Sequence, residues 1–404
     1  MTRIMAVSGW LLSVGAASAL TPSNIVGEIT VADYTYFHTN LFVHSRQNRG
    51  FSSTYPRVPA NQHDAARNFI YSCFTNMGLS TTLDPFGFPG TTNCNNVVAV
   101  KAGLNPSNDG YYVVGAHYDS VDATSSTVTN CPGADDNASG VAGMLEVARV
   151  LSAYTFKATI LFIAFDAEEE GLYGSEHYVA DSTSSSPGSP GKIYRGDIRS
   201  MISMDMIAYN PAGANYNKAW ILGGNSIPTK PVRTNLANAL VRYAGLSYEN
   251  SGADNASDHG PFYFDGTYGA GNTGRIDSCL LIEYNCDYNT NYHEKTDSVD
   301  TPAYIDYAFA AKMTKGVAGY LCSQAGLVPP ASASFLQPPA GTNIVMRWDS
   351  MAGVVQQVEY RDALIGPDDW SVLGTYTNTS GAWTLTVTDR VDAVSRRYYR
   401  VRSW

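Results

Sequence analysis

The sequence is short of positive charge: 404 residues carry 26 Lys and Arg against 36 Asp and Glu, a formal net charge of -10, with a pI near 5.1. No basic cluster interrupts that acidity, so the cations that a phosphate backbone requires are missing and nucleic acid is excluded as a partner. Long apolar runs are missing too. The first nineteen residues come nearest, but Ser8, Gly9 and Ser13 break them and they fall short of the ~20 apolar residues a spanning helix needs, so no membrane span is expected. Cysteine never occurs in a CxxC spacing, which argues against a cysteine-rich metal site. No G-x-S-x-G elbow follows an apolar strand, which disfavours a serine hydrolase of that type.

What the N-terminus does contain is Arg3, an apolar core through Trp10, Leu11, Leu12 and Val14, and the small residues Ala17-Ser18-Ala19. This reads as a signal peptide, residues 1–19, cleaved after Ala19 and leading to an extracellular or periplasmic protein. In an oxidising compartment the six cysteines, Cys73, Cys94, Cys131, Cys279, Cys286 and Cys322, could form disulfides. Proximity favours Cys73 with Cys94.

With 44% hydrophobic residues the chain is ample for one large core and a second small one. Asn24 to Leu79 reads as mostly helical, with Ala65, Phe69, Cys73 and Met77 spaced four apart. Strands at Asn95 to Lys101, Tyr111 to Ala116, Ile160 to Phe165, Ile198 to Ala208 and Cys279 to Tyr284 follow, with Trp220 to Leu222 as a further candidate. Between and after them, helices are expected from Ser139, over Tyr173 to Ala180, Pro231 to Ala244 and Ala303 to Leu321. The unbroken apolar run from Ile160 to Phe165 suits a central strand covered on both faces. The expected fold is α/β, a mostly parallel central sheet flanked by helices over residues 20–326. Pro329-Pro330 and Pro338-Pro339 bracket a linker, residues 327–341. Beyond it, Val345 to Asp349, Val354 to Arg361, Trp370 to Tyr376, Trp383 to Asp389 and Arg397 to Trp404 are short alternating segments, spaced as in a small β-sandwich over residues 342–404. That module holds no constellation of acids and histidines, so it is expected either to bind a surface or another protein, or to be a passive appendage.

Chemistry gathers at the strand ends. The Ile160 strand runs into Glu168, Glu169 and Glu170, and three adjacent carboxylates at the mouth of a buried strand repel unless a cation holds them or one is protonated. His117 ends the Tyr111 strand, with Asp119 close enough to accept a proton from one ring nitrogen and present the other to a metal. Asp135 and Asp136 precede the helix from Ser139, where capping is the bland alternative. Asp205 interrupts an apolar run, and a carboxylate there needs a partner. His293 follows the Cys279 strand. In an open parallel sheet the carboxyl ends of the strands share one edge, so His117, Asp136, Glu168, Glu169, Asp205 and His293 would converge. Two imidazoles and three acids suit zinc, and five ligands fit a pair of metals sharing a carboxylate.

The strings GAHYDS, GADDNASGVA, AFDAEEEGLYGS, SMDM and YHEKTDS occur in this order, and with them residues 24 to 326 resemble metallopeptidase family twenty-eight, which includes the secreted bacterial leucyl aminopeptidases. The resemblance implies a zinc-exopeptidase-like fold and two zinc ions. It assigns His117 and Asp205 to one ion, Glu169 and His293 to the other, and Asp136 as the bridge, being the Asp three residues before Ser139-Gly140. It makes Glu168 the general base toward a metal-activated hydroxide, Asp119 the carboxylate behind His117, and Asp136-Asn137 a cis peptide. The implied activity is removal of N-terminal residues from peptides. Two alternatives use the same scaffold, a glutaminyl cyclase, which shares a segment like Ser257-Asp258-His259-Gly260-Pro261-Phe262, and a carboxypeptidase. A binding protein that has lost catalysis would be expected to lack ligands. The C-terminal segment resembles the fibronectin-like modules appended to secreted bacterial enzymes.

Overall fold

The strand Thr159–Phe165 is buried along its whole length, as an unbroken apolar run inside a sheet must be. The computed structural model describes residues 5–8, 21–45, 63–88, 91–123, 132–181, 197–224, 230–264, 276–328, 333–335, 343–349, 355–361, 371–377, 384–390 and 396–403. The chain divides into two compact units, Pro22–Leu327 and, separately, Val328–Trp404 with Met1–Thr21. Cys131, the cleavage motif Ala17-Ser18-Ala19 and the prolines Pro329, Pro330, Pro338 and Pro339 lie outside the described residues.

The larger unit is built on an eight-stranded sheet of β1 (Ser80–Phe88), β2 (Thr91–Lys101), β3 (Tyr111–His117), β4 (Thr159–Phe165), β5 (Ile198–Met204), β6 (Lys218–Gly223), β7 (Ser247–Glu249) and β8 (Ser278–Glu283), in the order β1-β2-β4-β3-β5-β8-β6-β7. The central block β4-β3-β5-β8 is parallel throughout. Antiparallel pairs attach β2 and β1 on one side and β6 on the other. In the parallel block His117 pairs with Phe165, Gly115 with Ser203 and Leu281 with Met204. That register brings the residues after β3, β4 and β5 out at one edge.

The helix α1 (Ala138–Ser152) is apolar nearly all round and buried from Ala138 through Ala148, as a helix packed on several sides has to be. Its N-terminus presses on the end of β5. A Cβ on Gly140 would collide with the Met204 carbonyl oxygen and with Asn137 Oδ1, so only glycine allows this approach. Asn137 is the N-cap: its Oδ1 accepts from Gly140 N–H at 2.9 Å and its Nδ2 donates to the Met204 carbonyl at 2.9 Å.

Several boundaries differ from the sequence expectation. Strand β1 was not foreseen, because Pro85 and Gly87 break its apolar pattern. As the edge of the sheet it tolerates both. The strand expected to reach Ala208 stops at Met204, where Met206 turns to φ 49°. The closing helix, α2 (Tyr307–Gln324), begins four residues late because Asp306 caps it, accepting from Ala308 and Phe309 N–H. The Cys73–Cys94 bridge is not formed. Cys73 is a free thiol, whereas Cys94 packs into a cluster with Phe86, Phe88 and Ala167. Cys279, Cys286 and Cys322 are also free thiols.

In the smaller unit, Met5–Ser8, Arg396–Ser403, Val355–Arg361 and Ser371–Thr377 form one antiparallel sheet in that order, and Ala333–Phe335, Asn343–Asp349 and Thr384–Arg390 form another. Each short segment expected after the linker is a strand. The pairing of Met5–Ser8 with Arg396 to Tyr399 had no signal in the sequence. Among the described residues, no helix is long and apolar enough to cross a membrane.

Candidate metal centre

His117 reaches the sheet edge as the end of a strand, and the other candidate side chains reach it through sharp backbone turns. His117 is the last residue of β3. Glu168 and Glu169 follow β4 through Ala167, which takes φ 57°; Asp205 follows β5 and precedes Met206 at φ 49°; His293 itself takes φ 57°. Left-handed backbone at non-glycine residues costs on the order of 1–3 kcal/mol each and clusters where side chains must be aimed. Asp136 sits on the turn before α1, and the Asp136-Asn137 peptide is cis, as the resemblance implied.

The structure gathers all five proposed ligands. His117 Nε2 lies 3.2 Å from Asp136 Oδ1 and 3.3 Å from Asp205 Oδ1. His293 Nε2 lies 3.2 Å from Asp136 Oδ2 and 3.0 Å from Glu169 Oε2. The ligand atoms thus form two groups, His117 with Asp136 and Asp205, and Asp136 with Glu169 and His293, each within 4.8 Å mutually. Asp136 belongs to both, with one oxygen turned to each.

Burial makes so much like charge costly, and the titration behaviour shows it. Burial and the Asp136 carboxylate push Glu169 up to about 7. Burial raises Glu168 well above the usual carboxylate range, with Glu169, Asp205 and Asp258 adding to it and His117 opposing. For Asp136 burial also acts upward, yet the imidazoles of His117 and His293 hold it below its ordinary value. Glu169 Oε1 is buried with no hydrogen-bond partner among the described residues. Oxygen and imidazole donors crowded in this way fit a pair of divalent cations of the zinc type.

The surroundings hold this arrangement in place. Asp119, expected behind His117, has its carbonyl oxygen 3.2 Å and its Oδ1 3.4 Å from His117 Nδ1. Its carboxylate also accepts the backbone N–H of Glu168 at 3.2 Å and of Glu169 at 3.1 Å. Ser257 Oγ donates to Asp205 Oδ2 at 2.8 Å, a role the sequence did not suggest for its motif. Asp297 accepts the N–H groups of Asp135 and Asp136. It lies within the YHEKTDS string, four residues past His293, and that adjacency was the only signal for it. Tyr292 stacks on His293 with ring centroids 3.7 Å apart.

The fold, with paired imidazole and carboxylate groups at the carboxyl edge of its parallel strands, is of the zinc-exopeptidase-like α/β class. The family model of peptidase family M28 matches residues 96–321, more than half of the chain, and the chain belongs to that family. Aminopeptidase YwaD of Bacillus subtilis is 34% identical over 172 residues, which are 42% of this chain and 33% of that protein. Among the first curated relatives the chain spans between 26% and 58% of their length. The Legionella pneumophila LapA aminopeptidase has a similar fold, with a TM-score of 0.58 at 22% identity over 76% of this chain and 74% of that one. A glutaminyl cyclase of Bacteroides thetaiotaomicron is similar in fold as well, with a TM-score of 0.56 at 18% identity over 73% of this chain and 98% of that one.

Proposed function

We propose that this chain is a secreted aminopeptidase with two zinc ions acting together, removing single residues from the N-termini of peptides. The observation that carries the reading is the placement of Asp136, whose Oδ1 faces His117 and whose Oδ2 faces His293 at 3.2 Å each. His117 and Asp205 complete one site; Glu169 and His293 complete the other. Zinc bound there supplies Lewis acidity toward a water and toward the scissile carbonyl.

Glu168 belongs to neither donor group and is only 8% exposed. It takes the proton of the attacking water and returns it to the leaving amine. Burial and neighbouring carboxylates raise its proton affinity, which suits proton uptake. Asp119 aims it by fixing the backbone of Glu168 and Glu169 while steadying the His117 ring.

The test is zinc analysis combined with a panel of free and N-blocked peptides. Two zinc ions per chain, with amino acids released from free N-termini alone, supports the reading. Cleavage of N-blocked peptides from the other end would replace it with a carboxypeptidase, and ammonia from an N-terminal glutaminyl peptide with a cyclase. Export belongs to the same proposal: residues 1–19 act as the signal, and their removal would free the edge of Arg396–Ser403 that Met5–Ser8 covers. N-terminal sequencing of the exported protein should begin at Leu20. For the C-terminal unit, without a cluster of candidate ligands among its described residues, two roles stand: docking on a surface or another protein, or a passive stabilising appendage.

A further inference from the structure

The string AFDAEEEGLYGS contains an acid that the proposed chemistry leaves unused. Asp166, between the end of β4 and Ala167, is fully buried, and so is His63 in the first turn of the helix His63–Asn76. His63 Nε2 lies 2.7 Å from Asp166 Oδ1 across 103 positions of sequence. A carboxylate only accepts, so the imidazole N–H donates, and a bond of this length to a charged acceptor is among the strong ones. The ring's Nδ1 is met by Asp64 Oδ1 at 3.2 Å. The second oxygen of Asp166 accepts Asn95 N–H at 2.8 Å. The carbonyl of Asn95 in turn accepts the Tyr118 hydroxyl at 2.9 Å, and the Tyr118 ring lies against the His63 ring with centroids 4.9 Å apart. His63, Asp166, Asn95 and Tyr118 thus close a circuit, and Tyr118 stands between His117 and Asp119 in the chain.

We propose that His63 is a positioning residue for the general base: through Asp166 it fixes the turn Asp166-Ala167-Glu168-Glu169 that carries Glu168 to the edge of the sheet. The inference rests on the role given to Glu168 above. Ala167 is the strained residue of that turn, at φ 57°, a backbone that persists only where its surroundings hold it. Its neighbours are held on both sides. Before it, Asp166 is tied by its side chain to His63 and Asn95 and by its N–H to Asn96 Oδ1 at 3.1 Å. After it, the carboxylate of Asp119 takes the N–H groups of Glu168 and Glu169. His63 therefore touches the same two turns, after β3 through the Tyr118 ring and after β4 through Asp166, that Asp119 joins. It belongs to neither donor group, so it acts on the base through the backbone.

The test uses the full chain with zinc in excess and the best free-N-terminus peptide of the panel above, comparing wild type with His63→Gln and His63→Phe. Gln places an amide N–H where the imidazole donor stands. It gives up the ring and the contact with Asp64, whose side chain is 48% exposed, so kcat should stay within about threefold of wild type. Phe keeps a ring against Tyr118 and offers no donor, so kcat should fall about 10–100-fold with KM within about threefold, as for a displaced catalytic group. In a Glu168→Gln background the same substitution should lower kcat by less than about threefold, because the base it positions is gone. Amide exchange of the metal-free protein is a second readout. Glu168 and Glu169 N–H should exchange about tenfold faster in His63→Phe than in wild type, and near the wild-type rate in His63→Gln. A folded His63→Phe enzyme with wild-type kcat overturns the inference, as do a His63→Gln enzyme that loses about tenfold or more, losses that multiply in the double variant, or unchanged exchange at Glu168 and Glu169 in His63→Phe. Should His63→Phe not fold, His63→Asn takes its place, since its polar amide stops short of Asp166 and the same losses are expected. A Glu168→Gln enzyme of near-normal rate would instead bring down the role of the base itself, and the exchange rates still decide whether His63 holds the turn.

Discussion

Asp297 accepts the backbone N–H of Asp136 at 3.0 Å across 161 positions of sequence, and its other oxygen takes the N–H of Asp135 at 2.7 Å. The carboxylate proposed to bridge two cations is thus held from behind by a second carboxylate, which binds backbone dipoles and leaves the Asp136 side chain free to face the imidazoles. Among the described residues, peptide N–H groups are the only direct donors to Asp297.

Replacing Asp297 with Ala leaves two buried N–H groups unsatisfied, each costing about 1–3 kcal/mol. Thermal denaturation of the metal-free variant should show a clear drop in Tm, and zinc affinity should fall with it. An unchanged Tm would show that water replaces the carboxylate at no cost.

Removing ligands one at a time tests how they are grouped. His117→Ala and His293→Ala each leave one donor group intact, so each should retain about one zinc per chain. Asp136→Ala breaks both groups and should retain none tightly. Elemental analysis after dialysis reads this directly, and an Asp136→Ala protein that keeps two ions contradicts the bridge.

Glu168→Gln keeps the shape and removes the base. Zinc content should match wild type while kcat falls by about 10²–10⁴-fold, the range for a positioned general base. A near-normal kcat would remove Glu168 from the mechanism.

Zinc uptake should release protons and strengthen as pH rises. Burial favours a neutral His293 ring, but Asp136 and Glu169 outweigh it and push the group to about 10, so at pH 7 the metal-free ring is protonated. An incoming cation must displace that proton, and competition fades as the pH approaches about 10. Titration calorimetry at pH 7 in two buffers of different ionisation enthalpy measures the release; identical apparent enthalpies would mean none.

Gly140→Ala drives a methyl group into the Met204 carbonyl and Asn137 Oδ1. Neither can retreat easily, because Asn137 also caps α1 and bonds Met204. A loss of about 1–3 kcal/mol is expected, as for overpacking elsewhere, readable as a lower midpoint in urea. Gly213, whose Cβ would meet nothing within 4 Å, has φ 148° and is therefore no neutral control.

Much of the architecture was legible because it depends on local pattern. Four parallel strands announce themselves as apolar runs, and a strand that ends in His117, in Glu168 and Glu169 or in Asp205 advertises a polar edge. Strand β1 was hidden because Pro85 and Gly87 carry no period-two signal, and only its place at the rim makes them acceptable. The extra turn expected before Tyr307 failed for a different reason: Asp306 is as good a cap as any upstream residue, and periodicity cannot choose between them.

The amino-acid order by itself determined which residues are available as ligands and which strands carry them to a common edge. Distances between side chains far apart in the chain were left to the tertiary structure. That Asp136 splits its oxygens between two histidines, that Asp297 braces its turn, and that Ser257 donates to Asp205 all depend on contacts between residues 19 to 162 positions apart. Such contacts are set by packing of the whole sheet and its helices, and no local periodicity encodes them.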